Sequence, residues 1–540
     1  MLAIQKITHY HQELLEALQK QHVNLEPKKE INVMKKSLSQ AIALATLLGA
    51  AVTANATPAT PGAGVPGTPY LPTDLVVSEE AVGSALVFPL YTVDNNNSTL
   101  LSITNTTDDF KAVKVRFLEG LNSAEVLDFH LYLSPKDVWS GSIVATAKGA
   151  KLLSNDTSCI VGLSSGFPKE GLEFRTTEIV KDGEVGLVER TRVGHFEVIE
   201  MGVVDPAEII SGTITAQKAI EHVNGKPGNC AAVTAAWNPG GKWYTDIGGA
   251  VTVNAILKNP NAPVATDVTN TIVNPVTAPT GGLYGTSAIV NVQDSWAVTY
   301  DATALKNIYT NQQHTYPGTI FPHLLSGVDP LIGSNGYATP LAIASNDVTM
   351  SLNKTKLFND YYVDPALAAQ TDFVITFPTK RFHVNAKHTD GTALPFVAGG
   401  TYTKAVGDGA STAQLAPFAE AWNGKTAQSC DAITISYFNK EEGENTVALE
   451  HISPLPTTPG SSLCYETNIF GMNDSNVFGG SLNRKNFALN DKFTEGWMEL
   501  TLGTTGLPVV GFSAITTKNG VSADGVIKNF GQSFAHKYTK

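Results

Sequence analysis

The chain has 540 residues, of which 42% are hydrophobic and 16% are charged, and its formal net charge is −12. This hydrophobic fraction is enough for a folded core and excludes general disorder. The acidic balance excludes nucleic acid as an expected partner, because phosphate binding needs a cationic face. The low charge density, with abundant Thr, Ser, Asn, Gly and Val, favours turn-rich β structure over charged helices.

Residues 34–56 (MKKSLSQAIALATLLGAAVTANA) have the order of a secretory signal peptide. A basic start is followed by an apolar stretch and then by small residues that end at Ala56. The alternative is a membrane anchor, but a spanning helix needs about 20 strongly apolar residues and this run is shorter. We therefore expect export, cleavage before Thr57 and no transmembrane segment in the mature chain. The expected location is extracellular, at the cell surface, or periplasmic.

Two segments beside the signal peptide are not expected to form part of a domain. Residues 1–33 are polar and precede the natural basic start, so we interpret them as an upstream extension that does not belong to the working protein. Residues 57–73 are rich in Pro, Gly and Thr and predict a stiff leader that tends to polyproline II. Cleavage would leave 31 basic and 45 acidic residues, so the mature chain stays acidic.

Two alternating runs in the first half predict antiparallel strands with one buried face. In residues 112–118 (AVKVRFL), apolar side chains alternate with Lys114 and Arg116. Residues 126–133 (VLDFHLYL) alternate in the same way, and a turn-forming linker joins the two runs. Period-2 alternation is typical of a sheet that packs one face onto a core.

Later runs continue this pattern, with helical spacing in a few short places. Further strands are predicted at residues 372–377, 433–438, 497–502 and 509–515, and short helices at residues 216–221, 231–237 and 412–422. No alternation of strands with long helices is present, which favours an all-β fold. We predict antiparallel β-sandwich-like domains with long loop insertions and a few short helices. The first β domain would cover residues 74–248 and a second, larger one residues 249–540.

Four cysteines are spread over this chain: Cys159, Cys230, Cys430 and Cys464. An even, small number in an exported protein indicates two disulfides. Three connectivities are possible, and proximity in the sequence favours Cys159–Cys230 and Cys430–Cys464. None of the spacings is that of a CxxC metal or redox motif.

Two groups of residues in the sequence could bind a metal ion. His195 and Glu197 lie two residues apart in GHFEVIEMG (residues 194–202), so on a strand they share one face and could share a metal ion. The alternative is a strand face that is solvated or internally hydrogen-bonded. Asp94, Asp108 and Asp109 lie in oxygen-rich turns that suit Ca²⁺, although solvated turns are the alternative and no EF-hand pattern is present. No other cofactor is expected.

A basic cluster, PTKRFHVNAKH (residues 378–388), contains Lys380, Arg381 and His383 in an otherwise acidic protein. It predicts binding of an anionic group such as a cell-surface polysaccharide, and the alternative is pairing with acidic neighbours. Gly-x-Ser-x-Gly and phosphate-loop motifs do not occur in the sequence, and no dinucleotide fingerprint, which requires a Gly-rich turn between a strand and a helix, is present. No catalytic residue is therefore predicted.

The sequence resembles a group of exported cell-surface or surface-layer-like proteins of Gram-negative bacteria. The resemblance lies in residues 112–140, 194–202 (GHFEVIEMG), 377–385 (FPTKRFHVN) and 461–468 (SSLCYETN). It implies a location in the bacterial envelope and a structural or adhesive role. The group has no established activity, so the resemblance transfers no catalytic residue.

Three functions are compatible with these patterns. The first is a secreted non-enzymatic surface protein that forms a coat by self-association or serves as an adhesive or scaffold. The second is an envelope protein that binds or degrades carbohydrate, with Trp237, Trp296 and Trp422 as stacking platforms. Paired carboxylates in an open groove would favour its glycosidase form. The third, a periplasmic binding protein, requires a deep cleft between domains.

Overall fold

A computed structural model describes residues 75–163, 167–180, 186–238, 240–245, 276–309, 312–314, 317, 322–324, 346–384, 387–388, 402–403, 416–420, 422, 427–447, 462–521 and 527–540. These residues form sheets in which nearly all strand pairs are antiparallel, with short helices between them, which confirms the all-β prediction. The signal peptide, the preceding extension and the leader lie outside the described residues.

Residues 75–306 contribute eighteen of the described strands and five short helices. The strands are β1 (Val76–Val77), β2 (Ala85–Thr92), β3 (Asn97–Asn105), β4 (Phe110–Glu119), β5 (Glu125–Leu133), β6 (Val138–Thr146), β7 (Gly149–Leu153), β8 (Cys159–Ile160), β9 (Leu172–Glu173), β10 (Val193–Val204), β11 (Ile209–Ser211), β12 (Ile214–Thr215), β13 (His222–Val223), β14 (Lys226–Pro227), β15 (Val276–Thr277), β16 (Leu283–Asn291), β17 (Trp296–Asp301) and β18 (Thr303–Lys306). The helices are α1 (Thr177–Val180), α2 (Leu187–Arg190), α3 (Ala216–Ile220), α4 (Cys230–Ala236) and α5 (Lys242–Thr245).

The second half contributes the remaining described elements. Its strands are β19 (Asn353–Lys354), β20 (Lys356–Tyr362), β21 (Gln370–Thr376), β22 (Lys387–His388), β23 (Tyr402–Thr403), β24 (Asp431–Asn439), β25 (Glu444–Val447), β26 (Ser462–Leu463), β27 (Thr467–Met472), β28 (Arg484–Phe487), β29 (Glu495–Leu502), β30 (Leu507–Pro508), β31 (Val510–Val521), β32 (Ile527–Ala535) and β33 (Lys537–Thr539). Its helices are α6 (Asn346–Leu352), the 3₁₀ turn Pro365–Leu367 and α7 (Lys380–Val384).

Two sheets form the first sandwich. Sheet A has the order β1-β18-β2-β10-β4-β5-β8, with β15 beside β10, and sheet B has the order β17-β16-β3-β6-β7-β9. The alternation predicted for β4 is confirmed, because Val113, Val115 and Phe117 face the core between the sheets. Phe88 and Phe196 stack there with ring centroids 4.0 Å apart. Sheet A therefore turns its polar side chains away from this core.

The predicted boundary between residues 248 and 249 lies outside the described residues. The strands that follow it return to the first sandwich: β16 pairs with β3 along its whole length, and β18 pairs with β2. Residues 283–306 thus complete sheets A and B.

Sheet C (β28-β27-β21-β31-β32) and sheet D (β25-β24-β29-β20-β33, with β26 beside β24) form the second sandwich. Sheet C has two buried faces. Val374 and Phe512 on one face belong to the core of the first sandwich, whereas Phe373 and Ile375 on the other pack with Leu500 of sheet D. The two sandwiches therefore share sheet C and are joined through continuous apolar packing.

The short helices fall partly where the sequence predicts them. Helices α3 and α4 confirm the predictions for residues 216–221 and 231–237. The α4 helix begins after Asn229, whose side chain accepts a hydrogen bond from the Ala232 amide, the usual role of an N-cap asparagine. The predicted helix at residues 412–422 is not found where the chain is described, because residues 416–420 form turns and bends; residues 412–415 and 421 lie outside the described residues.

Candidate functional site

Polar side chains on the outer face of sheet A form a buried layer. Lys114 and Arg116 alternate with core residues of β4, so they lie on the opposite face, and β5 and β10 flank β4 and extend that face. Side chains from the second half of the protein approach it. We call the following set the charged layer: Lys114, Arg116, Glu125, Asp128, His130, His195, Glu197, Arg381 and Glu466.

Apolar residues of the second half cover this face. Leu324, Val348 of α6 and Phe382 of α7 pack against Val87 and Ile199 of sheet A. As a result the Arg116 side chain is only 1% exposed. A polar strand face that the alternation alone would place in solvent is thus an internal interface.

Ion pairs neutralise the charges that have lost water. The Arg116 guanidinium donates from Nη1 to Glu197 Oε2 and from Nε to Glu125 Oε2, both at 2.9 Å. Lys114 pairs with Asp128 on the neighbouring strand. Burying a charge is costly unless it is paired and hydrogen-bonded, so these contacts offset the free-energy cost of burying the charges.

The predicted metal pair lies inside this layer. His195 Nε2 and Glu197 Oε1 are 4.0 Å apart, and both side chains are buried. Burial lowers the pKa of His195 to about 3, with a further contribution from the charges of Arg381 and Arg116, so its ring is neutral. Burial raises the pKa of Glu197, and the same two cations oppose that shift.

The predicted anion-binding residues are also turned inward. Lys380 pairs with Asp431, His383 shares a hydrogen bond of 2.9 Å with the Thr349 hydroxyl, and Arg381 Nη1 donates to the Ser123 carbonyl at 2.7 Å. In the structure the motif at residues 378–388 lies near the motif at residues 194–202, so the charge of Arg381 opposes the rise that burial causes in the pKa of Glu197. The His195, Glu197, Lys380, Arg381 and His383 side chains of these two motifs are all buried.

Glu466 is a carboxyl of the charged layer that is neutral at pH 7. Its Oε2 accepts a hydrogen bond of 2.7 Å from the Ser123 hydroxyl. Burial raises the pKa of Glu466 to about 8; Glu119 adds to the shift, while Ser123, Arg381 and Lys380 oppose it. At neutral pH this carboxyl therefore keeps its proton, and it behaves as a titratable group held inside the protein.

Several polar atoms of the layer have no hydrogen-bond partner within the described part of the chain. They are Arg116 Nη2, both ring nitrogens of His130, His195 Nε2 and Glu466 Oε1. Each carries a desolvation cost of about 1–3 kcal/mol. The charged layer therefore packs two parts of the chain together at a cost in stability. Loss of any hydrogen-bonding partner in the layer should destabilise the protein further.

No group of three or more His, Cys, Asp or Glu is arranged to hold a metal ion among the residues that the structure describes. The acidic turns have other partners: Asp94 Oδ1 lies 3.7 Å from Arg192, Asp108 lies 3.3 Å from Lys136, and Asp109 accepts from Thr280. The Ca²⁺ hypothesis stays a prediction.

An exposed aromatic face lies on the outer side of sheet D and consists of Phe358, Phe438 and Trp497. The Trp497 side chain is 39% exposed, and its ring stacks on Phe438 with centroids 4.1 Å apart. Sequence reasoning missed Trp497 as a functional candidate. The signal was present, because the buried Met498, Leu500 and Leu502 of β29 set the apolar phase and leave Trp497 on the polar face.

The three tryptophans that the sequence suggested as platforms are placed differently. Trp237, Trp296 and Trp422 are only 2–4% exposed and belong to hydrophobic cores. An aromatic ring in a core is not available for stacking on a sugar.

A groove of about 450 Å³ opens between sheets C and D, and Asp360 in its lining pairs with Trp497 on the neighbouring strand. Its lining includes Asp360, Tyr362, Lys440, Glu495, Phe530 and Gln532. Lys440 and Glu495 form an ion pair across neighbouring strands. Aromatic surfaces beside hydrogen-bonding groups are the mixture that small polar ligands need in a pocket.

Two disulfides are present, Cys159–Cys230 and Cys430–Cys464, which is the pairing that sequence proximity favours. The first ties β8 to α4, and the second joins the start of β24 to the segment after β26. Disulfides persist in oxidising compartments, so they fit an exported protein. In the described part of the chain, every helix is too short or too polar to cross a membrane.

No protein-family model, curated protein or solved structure matches this chain. The resemblance to exported surface proteins accordingly stays a prediction, and function is inferred from the geometry.

Proposed function

We propose that the protein is a secreted, non-enzymatic cell-surface protein that acts as a structural coat component or as an adhesive scaffold. The observation that carries this proposal is sheet C, which buries both faces and contributes to the cores of both sandwiches. A chain built this way resists separation of its two halves, because separation would expose apolar surface on both sides of one interface.

Internal pairing of charges supports the same function. The residue types that would bind a metal or an anionic ligand on a surface are used in buried ion pairs, both in the charged layer and between Lys380 and Asp431. Apolar packing also joins the two sandwiches through sheet C, whereas a periplasmic binding protein would need a deep cleft between its domains.

Export is part of the proposal. The signal peptide at residues 34–56 would direct the chain across the inner membrane, and the two disulfides suit the oxidising space beyond it. The disulfides close sequence separations of 71 and 34 residues, and the loop-entropy relation gives about 4 kcal/mol for each. Covalent stabilisation of this kind persists in an oxidising compartment, where disulfides are not reduced.

A second candidate function is binding of cell-surface carbohydrate, and exposed Trp497 favours it. A tryptophan ring held flat on Phe438 offers an apolar surface for the face of a sugar, and the groove beside it offers carboxylate and amide groups for hydroxyls. Asp360 and Glu495 both line the groove, so hydrolysis has to be tested together with binding. An adhesive scaffold with a carbohydrate-binding face combines both candidates.

Fractionation of the producing cells, with and without a chelator of divalent cations, tests the proposal. We expect abundant protein in the surface fraction, and its release by the chelator would identify a coat held by divalent cations. Purified protein incubated with envelope polysaccharide should release no reducing sugar. Protein found only as a dilute soluble species in the periplasm, or sugar release that Asp360→Asn or Glu495→Gln abolishes, would overturn the proposal.

A further inference from the structure

The ion pair between Lys380 and Asp431 differs from an ordinary surface salt bridge in its burial. Lys380 Nζ donates to Asp431 Oδ2 at 2.8 Å, and the two side chains are 1% and 4% exposed. Nζ also donates to the carbonyl of Ser429, which fixes the position of the amine. The pair joins α7 to the first residue of β24.

Two aromatic rings surround the amine. Lys380 Nζ lies 5.5 Å from the centroid of the Phe377 ring and 5.4 Å from that of Phe418. Both rings belong to the core of the second sandwich. The rings shield the amine and the neighbouring carboxyl from water, which disfavours hydrolysis of a bond formed between them.

The second oxygen of the carboxyl has its own fixed donor. The amide of Ala419 donates to Asp431 Oδ1 at 2.7 Å. A backbone N–H in this position stabilises negative charge that develops on Oδ1 when a nucleophile adds to the carboxyl carbon. The amine therefore approaches at one oxygen, and a preformed donor holds the other.

We propose that Lys380 and Asp431 condense to an intramolecular amide that crosslinks α7 to β24. A proton passes from Lys380 Nζ to Asp431 Oδ2, and the Nζ lone pair then forms a bond to Cγ. The Cγ–Oδ2 bond breaks, and Oδ2 leaves as water with the transferred proton and a second proton from the nitrogen. Oδ1 becomes the amide oxygen and keeps its hydrogen bond to Ala419. One water is lost for each bond, and no oxidant, reductant or cofactor takes part.

Another buried lysine pair provides an internal comparison. Lys111 Nζ lies 2.6 Å from Glu200 Oε1, and both side chains are fully buried. Its amine also donates to the Thr280 hydroxyl, and Glu200 accepts from the amides of Thr280 and Gly281. Among the described residues, the ring contacts of lysine amines include those of Lys380 but not of Lys111. We expect this second pair to remain an ion pair.

Mass spectrometry of the secreted protein tests the crosslink. After reduction and denaturation, we expect the wild-type chain to weigh less than its sequence by one water. Proteolysis should then yield a branched peptide that joins Lys380 to Asp431. A full-length mass with both residues in separate linear peptides would overturn the proposal, and so would a crosslink between Lys111 and Glu200 in its place.

Two matched variants sharpen the result. Lys380→Arg keeps the positive charge but lacks the amine, so its chain should have the full mass. Lys111→Arg makes the same change at the comparison pair, and its chain should still lack one water. A deficit that survives Lys380→Arg, or that disappears in Lys111→Arg, would contradict the assignment. If Lys380→Arg does not fold, the peptide map of the wild-type protein decides the question by itself.

Discussion

The charged layer and the aromatic face of sheet D show opposite relations between residue type and exposure. Arg116 is 1% exposed and held by two carboxylates, whereas Trp497 is 39% exposed and lies flat on Phe438. By residue type alone, the charged layer resembles a binding site and the aromatic face resembles a hydrophobic core. What decides their roles is the part of the chain that covers each face.

The difference has an energetic consequence. Charges inside the protein are stabilised only by their partners, so removal of one partner leaves another charge buried and unpaired. A large ring on the surface makes few contacts whose loss would destabilise the fold. Substitutions in the charged layer should therefore change stability, and substitutions on the aromatic face should change binding.

Loss of Arg116 is the largest expected effect. In Arg116→Met, Glu125 and Glu197 lose their common partner, and the free energy of unfolding should fall by about 3–5 kcal/mol. Urea denaturation followed by circular dichroism measures the change. Lys440→Met is the matched control, because its pair with Glu495 is exposed and its loss should leave the unfolding midpoint unchanged. Equal effects of the two substitutions would remove the distinction between the two regions.

The pH dependence of stability tests the neutral state of Glu466. Its pKa is about 8 in the folded protein and about 4.5 in the unfolded chain, so between these values the folded state holds a proton that the unfolded state lacks. Stability should fall as the pH rises through this window, by up to about 1.4 kcal/mol per unit. In Glu466→Gln this contribution should be absent, so the variant should gain stability relative to wild type as the pH rises.

Measurements in a limited pH range separate the effect of Glu466 on stability from that of His195. The pKa of His195 is about 3 when folded, against an ordinary value of 6.5, so the folded state holds fewer protons in that window and stability is lost as the pH falls through it. Denaturation of wild type and Glu466→Gln between pH 6.5 and 8 therefore isolates the carboxyl. Parallel curves for the two proteins would show that Glu466 is ionised in the fold.

The smallest effect on stability is expected at Trp497. Trp497→Ala should weaken binding of envelope polysaccharide about tenfold, which corresponds to about 1.4 kcal/mol, and should leave the thermal unfolding midpoint nearly unchanged. Binding is measured by affinity electrophoresis or calorimetry. Phe534→Ala removes another exposed ring, on β32 of sheet C, and should bind as wild type does. Equal losses in both variants would assign the effect to general surface hydrophobicity.

Sequence patterns predicted the features that depend on residues close together in the sequence, such as the faces of a strand and the disulfide pairs. Alternation in β4 separated Val113 and Val115 from Lys114 and Arg116, and proximity favoured the observed disulfide pairs. The apolar phase of β29 also indicates that Trp497 lies on the exposed face. These features depend on periods and separations that can be read locally.

Other features depend on contacts between distant segments. The burial of His195 and Glu197 requires α6 and α7 from the second half of the chain, and no local pattern indicates that cover. The return of β16 and β18 to the first sandwich is likewise a matter of long-range strand pairing. A polar strand face therefore does not reveal whether it is exposed or buried, because both water and a partner of opposite charge can satisfy its polar groups.

Hydrogen exchange at the amides of β4 and β10 tests most directly that the charged layer is a structural interface and not a binding site. We expect the amides of Arg116 and Glu197 to exchange only through global unfolding, with the slowest rates in the protein and no change when anionic polysaccharide is added. Exchange through a local opening of much lower free energy, or added protection of these amides by the polysaccharide, would contradict the account.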